Sequence, residues 1–405
     1  MAFSAGLSGL NAASQNLDVV GNNVANASTV GFKQSRAEFA DVFANAVGIG
    51  TRVAAVEQQF NQGNISATNN PLDLAISGKG FFRVEDSGGV SYSRNGQLHL
   101  DNAGNLVTSD NLTVTGYGAD ASGNVVRSAP APLQVSNAPM QPTVTTAFKM
   151  SMNLDARATQ PSTAVFDPAD PTSYNDSQSD TVYDTLGNGH VFTTYFVKTA
   201  TAGKWDVHAT VDGTAETNVN LGAGAGTPVN LQFDSSGALS TAMPIAAVKL
   251  TVSGGGVTPL PMSLDFSGST QFGSEFAINS VFQDGYTSGR LASVSIGNDG
   301  VLTARYNNGQ TKNIGQIVLA NFIDPQGLRP VGNNRWEETA TSGLAVTGVP
   351  GVGDFGALQS GAVEESNVDL TAELVNMITA QRNYQANAQT IKTMDAVLQT
   401  LVNLR

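Results

Sequence analysis

SNVDLTAELVNMITAQRNYQANAQTIKTMDAVLQTLVNLR, residues 366–405, decides the fold. It closes a chain of 405 residues that holds 43 glycines and 15 prolines, yet neither type occurs from 362 to the end. A sequence so densely punctuated elsewhere, then uninterrupted for forty residues, predicts one long helix. Steps of 4 and 3 from Leu370 reach Leu374, Met377, Gln381, Tyr384, Ala388, Ile391, Asp395, Leu398 and Val402. Eight of these ten positions are apolar, the 3.5-residue seam of a coiled coil. Ser366-Asn367-Val368-Asp369 reads as a capping box, with the Ser hydroxyl and the Asp carboxylate each taking a free backbone N–H. Glu364, Glu365, Asp369 and Glu373 put negative charge at the positive end of the helix dipole.

The first residues carry a weaker copy of that signal. The same steps from Phe3 give Leu7, Leu10, Ser14, Leu17, Gly21 and Val24, five of seven apolar. Gly6, Gly9 and Gly21 each weaken a helix by about 1 kcal/mol relative to Ala, so this helix needs a partner. The C-terminal seam is the expected one. Burial along a single seam does not offset the entropy of ordering both ends, so the helices are expected to order fully when neighbouring chains cover them.

Between the ends the period changes from 3.5 to 2, and turn signals crowd in. Asn95-Gly96 between 90–93 and 97–100 reads as a type I′ hairpin, because Asn and Gly tolerate positive φ. Asp184 to Gly189, Asp212-Gly213, Asp299-Gly300 and Asn308-Gly309 repeat the theme. No helical periodicity of useful length survives between about 85 and 355, so the middle reads as all-β. Four prolines at 130, 132, 139 and 142, and Gln283-Asp284-Gly285, mark the two ends of an inserted module. The fold class expected is mainly β with α-helical termini, two nested β-rich domains carried on an N-/C-terminal helical coiled-coil pair. The boundaries expected are 1–24 with 366–405 for the helical domain and 25–70 with 359–365 for a linker. An inner β-rich domain then takes 71–146 with 287–358, and the inserted outer one takes 147–286.

Composition excludes several functions. Twenty Lys and Arg against 33 Asp and Glu leave a net charge of −13, without the cationic clusters that nucleic-acid phosphates demand. No Cys removes disulfides, thiolate metal sites and Cys nucleophiles, and His99, His190 and His208 are too scattered to ligate a metal by local spacing. No cofactor is implied. Asp18 is the first charged residue and Lys33 the first Lys, so the start has no basic segment of the kind that opens a cleaved signal peptide. No run approaches 18 apolar residues, so no membrane insertion is expected. Residues 1–24 and 366–405 together carry one net negative charge, leaving twelve on the other 341. Asn376, Thr379, Asn383, Gln385, Asn387, Gln389, Thr393, Gln399 and Asn403 give the last helix a neutral amide face suited to dense packing of copies or to a non-sticky passage.

Motifs for chemistry are few. Gly351-Val352-Gly353-Asp354-Phe355-Gly356 fits G-x-G-x-x-G, but no strand-helix-strand unit surrounds it, so it reads as a glycine-rich linker into the final helix. Asp184 with Asp206, or Glu337 with Glu338, are carboxylate pairs that a secreted carbohydrate-active protein could use, but nothing distinguishes them from solvated strand and turn residues, which is the reading preferred. Gly80-Phe81-Phe82-Arg83-Val84, Trp205 and Trp336 read as β-core residues.

The stretches SGLNAASQNLDVVGNNVANASTVGFK (8–33), LDLAISGKGFFRV (72–84), YSRNGQ (92–97), GQIVLANF (315–322) and the closing forty residues resemble the bacterial flagellar hook proteins, within the flagellar axial rod/hook family. They lie in the family's order and cover roughly the first 145 and last 120 residues. The terminal motifs are shared with distal rod and hook-filament junction proteins; the internal blocks and the inserted module favour hook.

The resemblance implies a structural subunit, not an enzyme, that self-assembles into a curved helical tube, the universal joint that transmits torque from rod to filament. It implies type III export without a cleaved signal peptide and an extracellular location at the flagellar hook. The implied partners are many copies of the chain, flagellar rod proteins, a hook cap protein, hook-filament junction proteins and the export apparatus. By the same resemblance the terminal helices line the inner tube, and 22–43 with 52–71 form a linker between neighbouring subunits. The residues expected at subunit contacts are Phe3, Leu7, Leu10, Leu17, Val24, Leu370, Leu374, Met377, Tyr384, Ile391, Leu398 and Val402.

Overall fold

The computed structural model describes residues 2–44, 47–86, 88–254 and 256–403. Helix α1 spans Ala2–Ala25 and is followed by strands β1 (Ser35–Ala44), β2 (Val47–Gln58), β3 (Ile65–Ala67), β4 (Leu74–Ser77), β5 (Phe81–Asp86) and β6 (Gly89–Ser93). Further strands fill the chain until helix α2 at Leu370–Asn403, and the only helical turns described between the two are Glu216–Asn218 and Pro325–Gly327. The mainly β class with helical termini is therefore the one observed.

Two compact units divide the chain. The first comprises 1–137, 292–305 and 311–405. In it β5 pairs with β6, with Thr113–Gly118 and with Leu319–Asn321. Phe81, Tyr92, Phe322 and Trp336 form its aromatic core, with Phe60 set edge-on to Phe81 and Trp336 at 5.4 Å. The β-core reading of 80–84 holds, as Phe81, Phe82 and Val84 are buried, and so are Leu74, Ala75 and Ile76 of β4. β1 and β2 form a long antiparallel ribbon, with Ser35 opposite Gln58, that packs on α1.

The second unit comprises 138–291 and 306–310. Strands Asp176–Tyr183, Gly189–Lys198, Lys204–Val211 and Val229–Gln232 make one antiparallel sheet, and a second sheet is built around Ala147–Asp155. Trp205, Val207, Ala209 and Val211 alternate inward along one strand and meet Phe148, Phe196, Leu231 and Phe266.

The turns repeat one design. In Asp101–Asn105, Asp120–Asn124 and Asp184–Asn188 the first carboxylate accepts the N–H of the third and fifth residues at 2.8–2.9 Å, and the Asn amide donates back to it. Gly104, Gly123 and Gly187 sit at φ of 83°, 82° and 84°, where a Cβ is strained. Hairpins form at 184–189, 299–300 and 308–309 as expected. Asn95-Gly96 is different. β6 pairs with β5 and Arg335–Glu337, while Leu98–Leu100 pairs with Leu106–Thr108, so no hairpin closes there. Gly96 is required by closeness instead, since a Cβ would lie 1.7 Å from the Leu74 carbonyl oxygen, and that residue's N–H donates to Gly96 O. Asp212-Gly213 likewise leads into the Glu216–Asn218 turn rather than a paired strand.

Candidate functional site

α1 and α2 run antiparallel, with Gly6 beside Ile391, Gly9 beside Asn387 and Asn23 bonded to Glu373. Small residues set the distance. A Cβ on Gly9 would stand 2.8 Å from Asn387 Oδ1, and one on Gly6 3.2 Å from Ile391 Cγ1. The buried positions are Gly6, Ala12, Ala13, Val20 and Asn23 on α1, and Glu373 and Ala380 on α2. Glu373, Ala380 and Asn387 fall one heptad apart and make the facing row. The expected row Leu374, Gln381 and Ala388 lies one residue on, about 100° further round. Leu370 and Leu374 are accordingly 47% and 44% exposed, with Tyr384 and Leu7 also exposed. Leu10, Leu17, Val24, Met377 and Ile391 are half-buried, and the side chains of Phe3 and Val402 lie outside the described residues. α2 has 34 residues to 24 in α1, about 15 Å of overhang, which leaves Leu398 52% exposed.

Helical geometry places the uncovered apolar residues together. On α1, Leu7, Leu10, Leu17 and Gly21 follow the facing row in one sense of rotation; on antiparallel α2, Leu370, Leu374 and Met377 follow theirs onto the same side. The β1–β2 ribbon takes the opposite side, where Asn383 and Asn387 line a 520 Å³ cavity with Ala12, Asn16, Phe39 and Gly50. Part of the amide face therefore turns toward the protein's own ribbon, and the apolar strip turns away from it. Gly21 sharpens the point: a Cβ there would meet nothing within 4 Å among the described residues, which give no packing reason for a helix-weakening residue.

Where the helices meet the β core, the contacts are polar. Asn23 donates to Glu373 Oε2 at 3.2 Å and to Ser35 O at 2.8 Å; Gln34 Nε2 donates to Glu373 Oε1 at 2.8 Å. Asn367 Oδ1 accepts Gln34 N–H, and its amide donates to Gln59 O at 2.7 Å. Glu364 binds Lys33 at 2.6 Å and Arg94 at 3.0 Å, all buried. Burial pushes the Lys33 ammonium below its ordinary range, with Glu364 opposing the shift, and lowers Arg94 by the same balance. The helix cap also differs from the expected one. Asp369 alone caps α2, accepting Thr371 N–H at 2.9 Å and Ala372 N–H at 3.1 Å, while Ser366 Oγ accepts Val368 N–H in a turn before the helix. The glycine run 351–356 is a turn closed by Gly351 N–H to Gly356 O, and it leads into Ala357–Ser360, a strand on β4, rather than into α2.

Among the described residues no three His, Asp or Glu side chains converge for a metal, and no helix is long and apolar enough to cross a membrane. The candidate carboxylates are engaged elsewhere: Asp184 in its turn and near His190, Asp206 with Asn230, Glu337 with Arg329, Glu338 with Tyr92.

Four family models match parts of the chain. The family model "Flagella basal body rod protein" fits 3–33, "Flagellar hook protein FlgE/F/G D1 domain" fits 75–160, "Flagellar basal body protein FlaE D2 domain" fits 153–286, and "Flagellar basal body rod FlgEFG protein C-terminal" fits 359–404. The chain is 45% identical to flagellar hook protein FlgE of Escherichia coli over the whole of both chains. It is 44% identical to that of Salmonella typhimurium, also over the whole of both, and 34% identical to that of Rhizobium meliloti over 99% and 98%. The chain belongs to the flagellar hook protein family. The family is structural, and no enzyme is implied. The crystal structure of Helicobacter pylori flagellar hook protein FlgE2 shares the fold at a TM-score of 0.51 and 15% identity, covering 74% of this chain and all of that one.

Proposed function

We propose that this chain is the repeating subunit of a flagellar hook, and that copies polymerise into a curved tube through the apolar strip on the α1–α2 pair. The observation that carries the reading is that strip: Leu7, Leu370 and Leu374 are exposed, with Leu10, Leu17 and Met377 half-buried along it, on a helix pair whose facing row is built mostly of small and polar residues. Exposed apolar side chains arranged in a continuous row are the signature of a surface that is covered in the working state. The twelve expected contact residues are assigned to this packing, with the helices as inner tube, 25–70 with 359–365 as linker, and the β domains as outer shells. Bending arises when β domains slide against neighbours while the helices keep the tube closed, which makes the tube a universal joint. Rod, cap and hook-filament junction proteins are the partners assigned, and export through the flagellar type III apparatus without a cleaved signal is the assigned route.

Negative-stain microscopy of concentrated protein tests the reading. Tubes are expected when salt screens the −13 net charge, since screening reaches about 8 Å at 0.15 M. Protein that stays monomeric with ordered helical ends, and that behaves identically without 366–405, would overturn it.

A further inference from the structure

Lys33, Arg94 and Glu364 form a buried cluster with two cations and a single carboxylate. Their side chains are 4% exposed or less. Both oxygens of the carboxylate are taken: Oε1 accepts from Lys33 Nζ at 2.6 Å and from Gly63 N–H at 2.8 Å, and Oε2 accepts from Arg94 Nη1 at 3.0 Å. Lys33 also donates to Asn61 O at 2.7 Å, and Arg94 Nη2 to Gly78 O at 2.8 Å. The backbone repeats the tie, with Gly31 N–H on Glu364 O and Glu365 N–H on Asn64 O, both at 2.8 Å. Three segments therefore converge on one side chain: the exit from α1, the end of β6, and the approach to α2.

We propose that Glu364 is a closure latch, the anion without which Lys33 and Arg94 hold the joint between the helices and the β core open. The asymmetry of the cluster carries this. Two like charges in a dry site repel unless an anion lies between them, and removing one partner of a buried pair leaves an uncompensated charge. Lys33 and Arg94 belong to the first quarter of the chain, whereas Glu364 is separated from them by 331 and 270 residues. A chain made from its N-terminus thus holds both cations long before the carboxylate that reconciles them. Until Glu364 seats, the joint stays hydrated, and α1 is not fixed for α2 to pack on. In an assembling subunit, this keeps the apolar strip from forming early; that consequence rests on the proposed function, whereas the closure itself does not.

The cluster separates the roles of its members. Lys33→Met leaves a balanced Arg94–Glu364 pair, but Glu364→Gln leaves two cations with no anion. Amide exchange of the full chain, read by mass spectrometry on peptides covering 28–36, 60–68 and 360–368, tests the difference, with 189–198 in the second unit as reference. Glu364→Gln is expected to speed exchange in the joint roughly a hundredfold while 189–198 is unchanged. Lys33→Met stays within about threefold of the parent, and Lys33→Met added to Glu364→Gln recovers part of the lost protection. The latch is overturned if Glu364→Gln exchanges like the parent, if Lys33→Met opens the joint as far, if Glu364→Gln loses protection uniformly through 189–198, or if the parent joint exchanges like free peptide. Each readout is independent of polymerisation, so tube formation can fail without touching the latch, and the reverse.

Discussion

The second β unit and the α1–α2 pair answer the same need, burial of apolar surface, in opposite ways. In the β unit the largest side chains point inward: Phe148, Phe196, Trp205, Leu231 and Phe266 are at most 1% exposed. In the helix pair the inward row is mostly small or polar, and Leu7, Leu370 and Leu374 are left exposed. A sheet of alternating residues can finish its core within one chain. A two-helix arm offers only one shared face, and here that face is used to bring the backbones close, which leaves Leu7, Leu370 and Leu374 exposed. The difference predicts which mutations act on the isolated chain and which act only on copies together.

The largest effect is expected in the β unit. Trp205→Ala should cost about 3–5 kcal/mol and lower the melting transition seen by calorimetry, with the helical signal near 222 nm unchanged. Next comes the helix contact. Gly9→Leu pushes a branched side chain into Asn387 and should cost about 1–3 kcal/mol in helix docking, read as loss of helical signal with the β transition intact. Leu374→Ala inverts the pattern: monomer stability should change by less than about 0.5 kcal/mol, while the concentration needed for tubes rises roughly tenfold, read by sedimentation. An equal loss in monomer and polymer would erase the contrast between the two regions. Gly21→Ala is subtler, adding about 1 kcal/mol to α1 alone yet hindering close approach of a neighbour, so more helix with fewer tubes is the expected pair of readings.

The smallest effect concerns acid. Side-chain and backbone hydrogen bonds hold the carboxyls of Asp101, Asp120 and Asp234 below the ordinary carboxylate range. A depressed folded pKa means that the unfolded chain takes up protons first as pH falls. The turns thus contribute stability above about pH 4, and that contribution is lost as pH drops through their lower folded values. α1 and α2 contain no turn of this kind, so acid should loosen the β turns, read by amide exchange, before it changes the helical signal.

Much of this division is legible in the residues. A forty-residue stretch without Gly or Pro can only be read as helix in so punctuated a chain, and the alternation in 204–211 can only be read as strand. The facing stripe of α2 is less legible, because counting large apolar residues finds the exposed strip, whereas the contact selects Ala380 on α2 and Gly6 and Gly9 on α1. Gly96 shows the same limit from another side: a glycine needed for closeness to Leu74 is spelled like one needed for a turn. The joint had no local signal at all. Lys33, Arg94 and Glu364 lie hundreds of positions apart and follow no period, so only the folded chain brings them together.

One of the repeated turns bears on how the molecule ages. Asn188 precedes Gly189, the pairing in which a side-chain amide is most readily attacked by the next peptide nitrogen, since glycine offers no steric hindrance. In the folded loop that amide donates to Asp184 Oδ2 at 2.9 Å, and Asn188 N–H is held by Oδ1 of the same carboxylate at 2.8 Å. The side chain is thereby tethered backward along the chain instead of being free to swing forward. The turn that shapes the hairpin also slows its chemical decay.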